Sequence, residues 1–180
     1  IKYLLDTINR FNKSKYPINL PLFDKLSDSR KKTQKLIKTK CDILILDGWC
    51  VGCPPISRNY LLSNINSLER QFDNNGKWRK YYNKQLKSKY LKAFREFDSI
   101  IYLKAPSFTH VFNWRVKQEN YLRKINKKNK LSGMSSNEIN NFVQYFEKIS
   151  KWMLKKMPEL ANMVVYVNKN QKISRIRKNN

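Results

Sequence analysis

The stretch CDILILDGWCVGCPP, Cys41–Pro55, decides how this chain is read. Most of the sequence is polar, yet Ile43 to Leu46 is an unbroken apolar run that leads straight into Asp47-Gly48-Trp49. A run bounded by charge and lacking alternation is the pattern of a strand covered on both faces, as in the middle of a parallel sheet. Such a strand delivers a carboxylate at its tip, and ligands of open α/β sheets sit at the carboxyl ends of their strands. The spacing therefore predicts a central strand over DILILDGW, with Asp47 at a binding site.

Outward from this stretch, strands alternate with long helices. Tyr3, Leu4, Leu5, Ile8 and Phe11 recur at helical spacing over residues 2–12. KYPINLPLFDK holds two prolines and reads as extended, with Leu20, Leu22 and Phe23 facing inward. LSDSRKKTQKLIKTK reads as a polar loop with a helical turn. Ser57 to Phe97 is helical in pattern, with a polar break at Asp73–Lys77 and an apolar stripe of Tyr81, Leu86, Tyr90, Leu91 and Phe94. DSIIYLKAP predicts a second buried strand, ended by Pro106. Ser107 then caps a helix over SFTHVFNWRVKQENYLRK, and INKKNKLSG is a loop. Ser135 and Glu138 form a capping box at the start of another helix. MVVYVNKNQKI reads as a last strand, and residues 174–180 as a frayed tail. The fold class is α/β, a parallel sheet flanked by helices.

Composition narrows the partners less than it first suggests. The chain has 180 residues, 41% of them hydrophobic, enough for one domain with a core. Its 38 Lys and Arg outweigh 13 Asp and Glu, a net charge of +25, which points either to a polyanionic partner or to lysine-rich coding. The lysines are spread along the chain, and no arginine-rich patch interleaved with stacking aromatics stands out, so nucleic acid is not the favoured partner. No apolar segment approaches a membrane span, and the first residues lack a signal-peptide pattern. Cys41, Cys50 and Cys53 are too few for a four-ligand zinc site without distant help, so they read as structural thiols in a reducing cytoplasm. Trp49 and Trp114 read as core anchors and His110 as a helix-surface residue.

Five local elements then appear in a familiar order. LPLFDK (20–25) resembles the L-P-x-Y-D-K segment of D-glycerate 3-kinase-like proteins, and LSDSR falls where those proteins carry Gly-Asp-Arg. ILILDGWCVG resembles their apolar strand with an acidic residue, Gly, Trp and a later Gly. VFNWRVKQENYLR resembles their W-R-x-x-Q-E…R helix, and GMSSNEINNFV their G-M-S-x-x-E-I/V-x-x-F-V stretch. The series spans most of residues 3–170. That group is related to the P-loop kinases that include phosphoribulokinase and uridine kinase, so the resemblance implies their fold and an ATP- and Mg²⁺-dependent phosphoryl transfer to a hydroxyl. The acceptor would be a small hydroxy acid such as glycerate, or a sugar-like molecule.

One part of the family pattern is absent. A phosphate loop needs G-x-x-x-x-G-K-S/T, and Gly48, Gly52, Gly76 and Gly133 are the only glycines in these 180 residues. The resemblance thus implies that residues 1–180, a single kinase-like domain, match the C-terminal two thirds of such a kinase, or that this polypeptide cannot hold ATP properly. Within it, Asp47 matches the Mg²⁺-binding acid, although Asp before Gly is also an ordinary turn residue. Arg115 and Arg123, two helical turns apart in a lid-like segment (115–135), match arginines that meet nucleotide phosphates; the alternative is two solvated side chains. Asp24, Lys25 and Arg30 fall on the acceptor side, where a plain structural loop serves the sequence equally well. The rival function is a non-catalytic kinase-fold protein that grips nucleic acid or an acidic partner.

Overall fold

The computed structural model describes residues 1–24, 29–125 and 134–179, and it is mixed α/β. Helix α1 (Lys2–Asn12) buries Thr7 and Ile8. Strands β1 (Ile18–Asp24) and β2 (Ser29–Ile37) pair antiparallel as a two-stranded ribbon. The predicted loop over LSDSRKKTQKLIKTK is thus largely a strand, because β1 supplies the hydrogen-bond partners a polar strand needs. Leu20 and Leu22 are half-buried as expected, but Phe23 is exposed. It follows Leu22 directly, and successive strand residues point to opposite faces.

The larger correction concerns residues 42–49. They form no strand, and their apolar side chains face out: Ile43 is 75% and Ile45 82% exposed. Among the described residues no strand runs beside them to take up backbone hydrogen bonds or to cover either face. The chain turns inward only at Cys50, and Gly52 adopts φ +78°. A Cβ on Gly52 would also lie 3.3 Å from the side chains of Ile100 and Met157, so the close approach and the left-handed backbone both call for glycine there.

Four short helices follow: α2 (Arg58–Leu62), α3 (Ser67–Phe72), α4 (Lys77–Gln85) and α5 (Leu91–Phe94), the last two joined by one wide π turn, Leu86–Tyr90. The break read at Asp73–Lys77 separates α3 from α4. Leu86 is buried, but Tyr81 and Tyr90 of the predicted stripe are exposed. The buried spacing instead runs through Arg79, Asn83 and Leu86.

Strands β3 (Ile101–Lys104) and β4 (Met163–Val167) are parallel, and β5 (Ile173–Lys178) lies antiparallel to β4, in the order β3-β4-β5. The sheet is therefore mixed. Strand β3 is not buried on both faces as predicted; it is an edge strand, with Ile101 and Leu103 exposed. Strand β5 occupies most of the segment read as a frayed tail. Beyond it, Asn179 Nδ2 donates to the carbonyls of Pro158 and Ala161 at 2.8 and 2.7 Å, satisfying the end of the preceding helix. Helices α6 (Phe108–Ile125) and α7 (Ser136–Leu160) pack on each other, and α7 starts with the predicted capping box between Ser135 and Glu138.

The core joins α7, β4 and the segment that enters α2. Cys53, Ile56, Leu61, Leu86, Trp152, Met153, Met157 and Val164 are its main members. Beside it sits a buried ion network. Arg79 Nε donates to Asp73 Oδ2 at 2.9 Å, and its Nη1 donates to the carbonyls of Leu61 and Ser63 at 3.1 and 3.0 Å and faces Glu69 at 3.4 Å. Lys148, from α7, donates to the carbonyls of Tyr60 and Ser63 and lies 3.3 Å from the same Glu69 oxygen. Two cations face two carboxylates, so burial isolates no net charge, which is what makes such a cluster tolerable.

Candidate active site

Lys104 ends β3 and Val167 ends β4, so the parallel pair opens a cleft at its carboxyl end. The cleft holds about 420 Å³ and is lined by Lys104, Ala105, Pro106, His110, Tyr166, Asn168 and Lys169, among others. Its walls are fixed locally. Asn168 Oδ1 accepts from the backbone N–H groups of Asn170 and Lys172 at 2.9 and 3.1 Å, tightening the turn into β5. Trp114 Nε1 donates to the Lys169 carbonyl at 3.0 Å, tying α6 to that turn. Ser107, at the entry of α6, pairs its hydroxyl with His110 Nδ1 at 2.9 Å. Lys104 and Arg175 both lie near the Tyr166 ring, 5.6 and 5.4 Å from its centre.

This cleft contains none of the residues singled out from the sequence. His110, read as a surface residue, lines it, and so do Lys104 and Lys169. The available signal was position: each follows or ends a strand at its carboxyl end, or opens the helix after it.

The residues that were singled out lie elsewhere. Asp47 is exposed in the irregular segment before Trp49, and among the described residues no hydrogen bond or ion pair holds its carboxylate. Trp49 stacks on Phe146 of α7, with ring centres 4.5 Å apart and planes at 14°, and it also meets Phe142 at 6.4 Å. Arg115 lies over the same Phe142 ring at 5.5 Å. Its guanidinium is paired with Glu119 and donates to Gln118 Oε1 at 2.6 Å, while its buried Nε has no partner. Phe142 belongs to the NFV end of GMSSNEINNFV. Three motifs that are far apart in sequence, D-G-W, W-R-x-x-Q-E and G-M-S…F-V, therefore meet at one aromatic ring.

On the ribbon, Arg30 pairs in register with Phe23 and its guanidinium lies 5.5 Å from the Tyr3 ring centre, while Asp24 stands opposite Ser29. Lys25 lies outside the described residues, as do the Arg123 side chain and residues 126–133 of the lid-like segment. Burial pushes the Cys50 thiol up to about 11 and, with help from Cys50, the Cys53 thiol up to about 12. Both stay protonated near neutrality, which suits packing and not nucleophilic chemistry.

The donor set bears on the cofactors that the resemblance implies. Mg²⁺ takes one or two carboxylates and completes its shell with water and phosphate oxygens, so an unengaged Asp47 fits it. Among the described residues no three His, Cys, Asp or Glu side chains gather to form a fuller protein cage. A nucleotide triphosphate fits less well: the glycine-rich backbone cradle for its phosphates is not among residues 1–180.

No protein-family model matches the chain. It is 26% identical over 155 residues to an uncharacterized kinase, mug58, of Schizosaccharomyces pombe, covering 81% of this chain and 53% of that protein. Its fold superposes on D-glycerate 3-kinase from Cryptococcus neoformans with a TM-score of 0.74 at 18% identity, covering 99% of this chain and 66% of the other. The YGR205w protein superposes with a TM-score of 0.64 at 20% identity, covering 97% and 62%. The chain thus spans about half the length of the curated relative and less than two thirds of each solved structure. Among the described residues no helix is long and apolar enough to cross a membrane. In its fold the chain is similar to D-glycerate 3-kinase, and in sequence to an uncharacterized kinase.

Proposed function

We propose that this polypeptide is part of an ATP-dependent kinase that transfers phosphate to a hydroxyl of a small hydroxy acid, most like D-glycerate 3-kinase. The observation that carries the reading is the meeting of three motifs at Phe142. An aromatic ring that seats both Trp49 and Arg115 fixes the segment bearing Asp47 against the helix bearing Arg115. Phosphoryl transfer asks a protein chiefly for positioning and charge neutralisation, and a guanidinium on the same aromatic ring as Trp49, two residues beyond Asp47, supports that reading.

In this reading Asp47 would hold Mg²⁺, which, when bound, neutralises charge on the phosphates. Arg115, oriented by Glu119 and Gln118, would turn its remaining N–H groups toward phosphate oxygens. Asp24, Lys25 and Arg30 would face the acceptor, with the cations on its carboxylate. The phosphate cradle would come from outside these 180 residues, and the site of action would be the cytoplasm.

The test is a coupled ATPase assay on the full gene product with a panel of hydroxy acids, sugars and nucleosides. Turnover with glycerate, cut at least about a hundredfold by Asp47→Asn and by Arg115→Lys, is the expected result. Turnover with sugars alone would move the acceptor class. No turnover with any acceptor would leave the non-catalytic binding protein as the better account.

A further inference from the structure

We infer that the outer face of the helical segment from Lys77 to Phe94, with the groove beside α2, is a binding surface for single-stranded nucleic acid. This surface shares no residue with the cleft between β3 and β4. The stretch KWRKYYNKQLKSKYLKAFR, Lys77–Arg95, carries eight lysines and arginines and no carboxylate. Of the eight, only Arg79 is buried, and it faces Asp73 and Glu69 in the interior. Those carboxylates are cancelled from within, so they do not offset the field of the lysines outside.

Two aromatic rings stand among these lysines. Trp78 is 65% and Tyr81 59% exposed, and they meet edge to face with centres 6.3 Å apart. Rings left in water contribute little to folding, yet every nucleobase has a face that stacks on them. The lysine side of the segment borders a groove of about 320 Å³ with an apolar floor of Ile56, Leu61 and Leu62 and a rim of Arg58, Lys80 and Lys87. Lys80 and Lys87 line the groove and also belong to the lysine row of the helix, so the groove borders that row. Lys77, Lys80, Lys84 and Lys87 recur at three- and four-residue steps, so cations rise along one side at roughly one turn, ~5.4 Å, apart.

This arrangement selects among polyanions. In a duplex the bases stack on each other and leave exposed rings little to do, whereas an unpaired strand offers both phosphates and free base faces. A bilayer would require a continuous apolar face on the helix, and here the rings are flanked by Lys77, Lys80 and Lys84.

The experiment is fluorescence anisotropy with the full chain and a labelled oligothymidylate of about 20 nucleotides, titrated at several salt concentrations. Trp78→Ala is expected to weaken binding roughly tenfold at constant salt, and Trp78→Phe to restore most of it. Lys80→Gln with Lys84→Gln is expected to flatten the plot of log affinity against log salt by about 1.4, at ~0.7 per lost phosphate contact. Lys31→Gln with Lys35→Gln, an equal loss of charge on β2, is expected to leave that slope unchanged. Circular dichroism checks that each variant folds, which is expected because these side chains are exposed. The inference is overturned if the β2 pair flattens the slope as much, since dispersed charge would then explain binding. It is equally overturned if Trp78→Ala binds as the parent does, if a duplex or an anionic phosphatidylserine vesicle competes better than the oligonucleotide, or if no binding occurs.

Discussion

Two regions of this molecule invert the usual expectation. Around α3, α4 and α7, Arg79 and Lys148 are each only 2% exposed and Glu69 5%, whereas in the apolar run before Trp49, Ile43 and Ile45 are almost wholly in water. The difference shows that burial follows from having complementary neighbours and not from side-chain character alone. Arg79 is enclosed because Asp73, Glu69 and the carbonyls of Leu61, Ser63, Asp73 and Asn74 answer its guanidinium. Among the described residues, the Ile-Leu-Ile-Leu run has no strand beside it to answer its backbone and no layer to cover its side chains.

The comparison can be broken most forcefully at Arg79. Arg79→Leu leaves Asp73 buried without its cation and Glu69 with Lys148 alone, and urea unfolding should show a loss of about 3–5 kcal/mol. A loss below about 1 kcal/mol would mean that water reaches the network and that the contrast is not one of burial.

Asp73 offers a milder and pH-dependent break. Burial works against its carboxylate, but the Trp78 N–H, the Arg79 guanidinium and the Arg79 N–H together hold its pKa below the usual range. A depressed carboxylate stabilises the fold fully above its unfolded value of about 4, and the contribution drains away as pH falls through the lower folded value. Asp73→Asn should therefore cost roughly 1–3 kcal/mol at neutral pH and show a flatter fall in stability below about pH 4. Parallel acid profiles for parent and variant would remove Asp73 from the network's energetics.

The smallest effect sharpens the contrast from the other side. Ile45→Ser, in the most apolar stretch of the chain, should change stability by no more than about 0.5 kcal/mol. A cost above about 1.5 kcal/mol would mean that this side chain is covered in solution.

These regions also mark what could be read from sequence. The α/β class, the helix break at Asp73–Lys77 and the Ser135–Glu138 capping box were legible because each rests on local spacing or local hydrogen bonding. Residues 42–49 were misread because an apolar run shows what a segment could bury, and only a neighbouring element determines whether it does. Tyr81 and Tyr90 fit a helical stripe by period, but Arg79 and Asn83 took the inward side, since their partners lie in α2, α3 and the 53–56 segment. His110 was passed over because a lone histidine has no pattern, and its place in the cleft follows from how β3 meets β4. The basic-aromatic surface was printed in KWRKYYNKQ, yet lysines scattered elsewhere hid it until exposure separated Trp78 from the core.

The uncovered edge of β3 bears on how the protein behaves in bulk. Ile101 and Leu103 sit on a strand whose outer hydrogen-bonding side is unpaired among the described residues, a template for sticking to further chains. Mutual repulsion from a charge of +25 works against that. Raising ionic strength from about 0.1 to 1 M shortens the reach of that repulsion from roughly 10 to 3 Å. Concentrated samples should therefore turn cloudy with added salt and clear again on dilution into weaker buffer, with colloidal stability resting on Coulomb forces that act beyond any single contact.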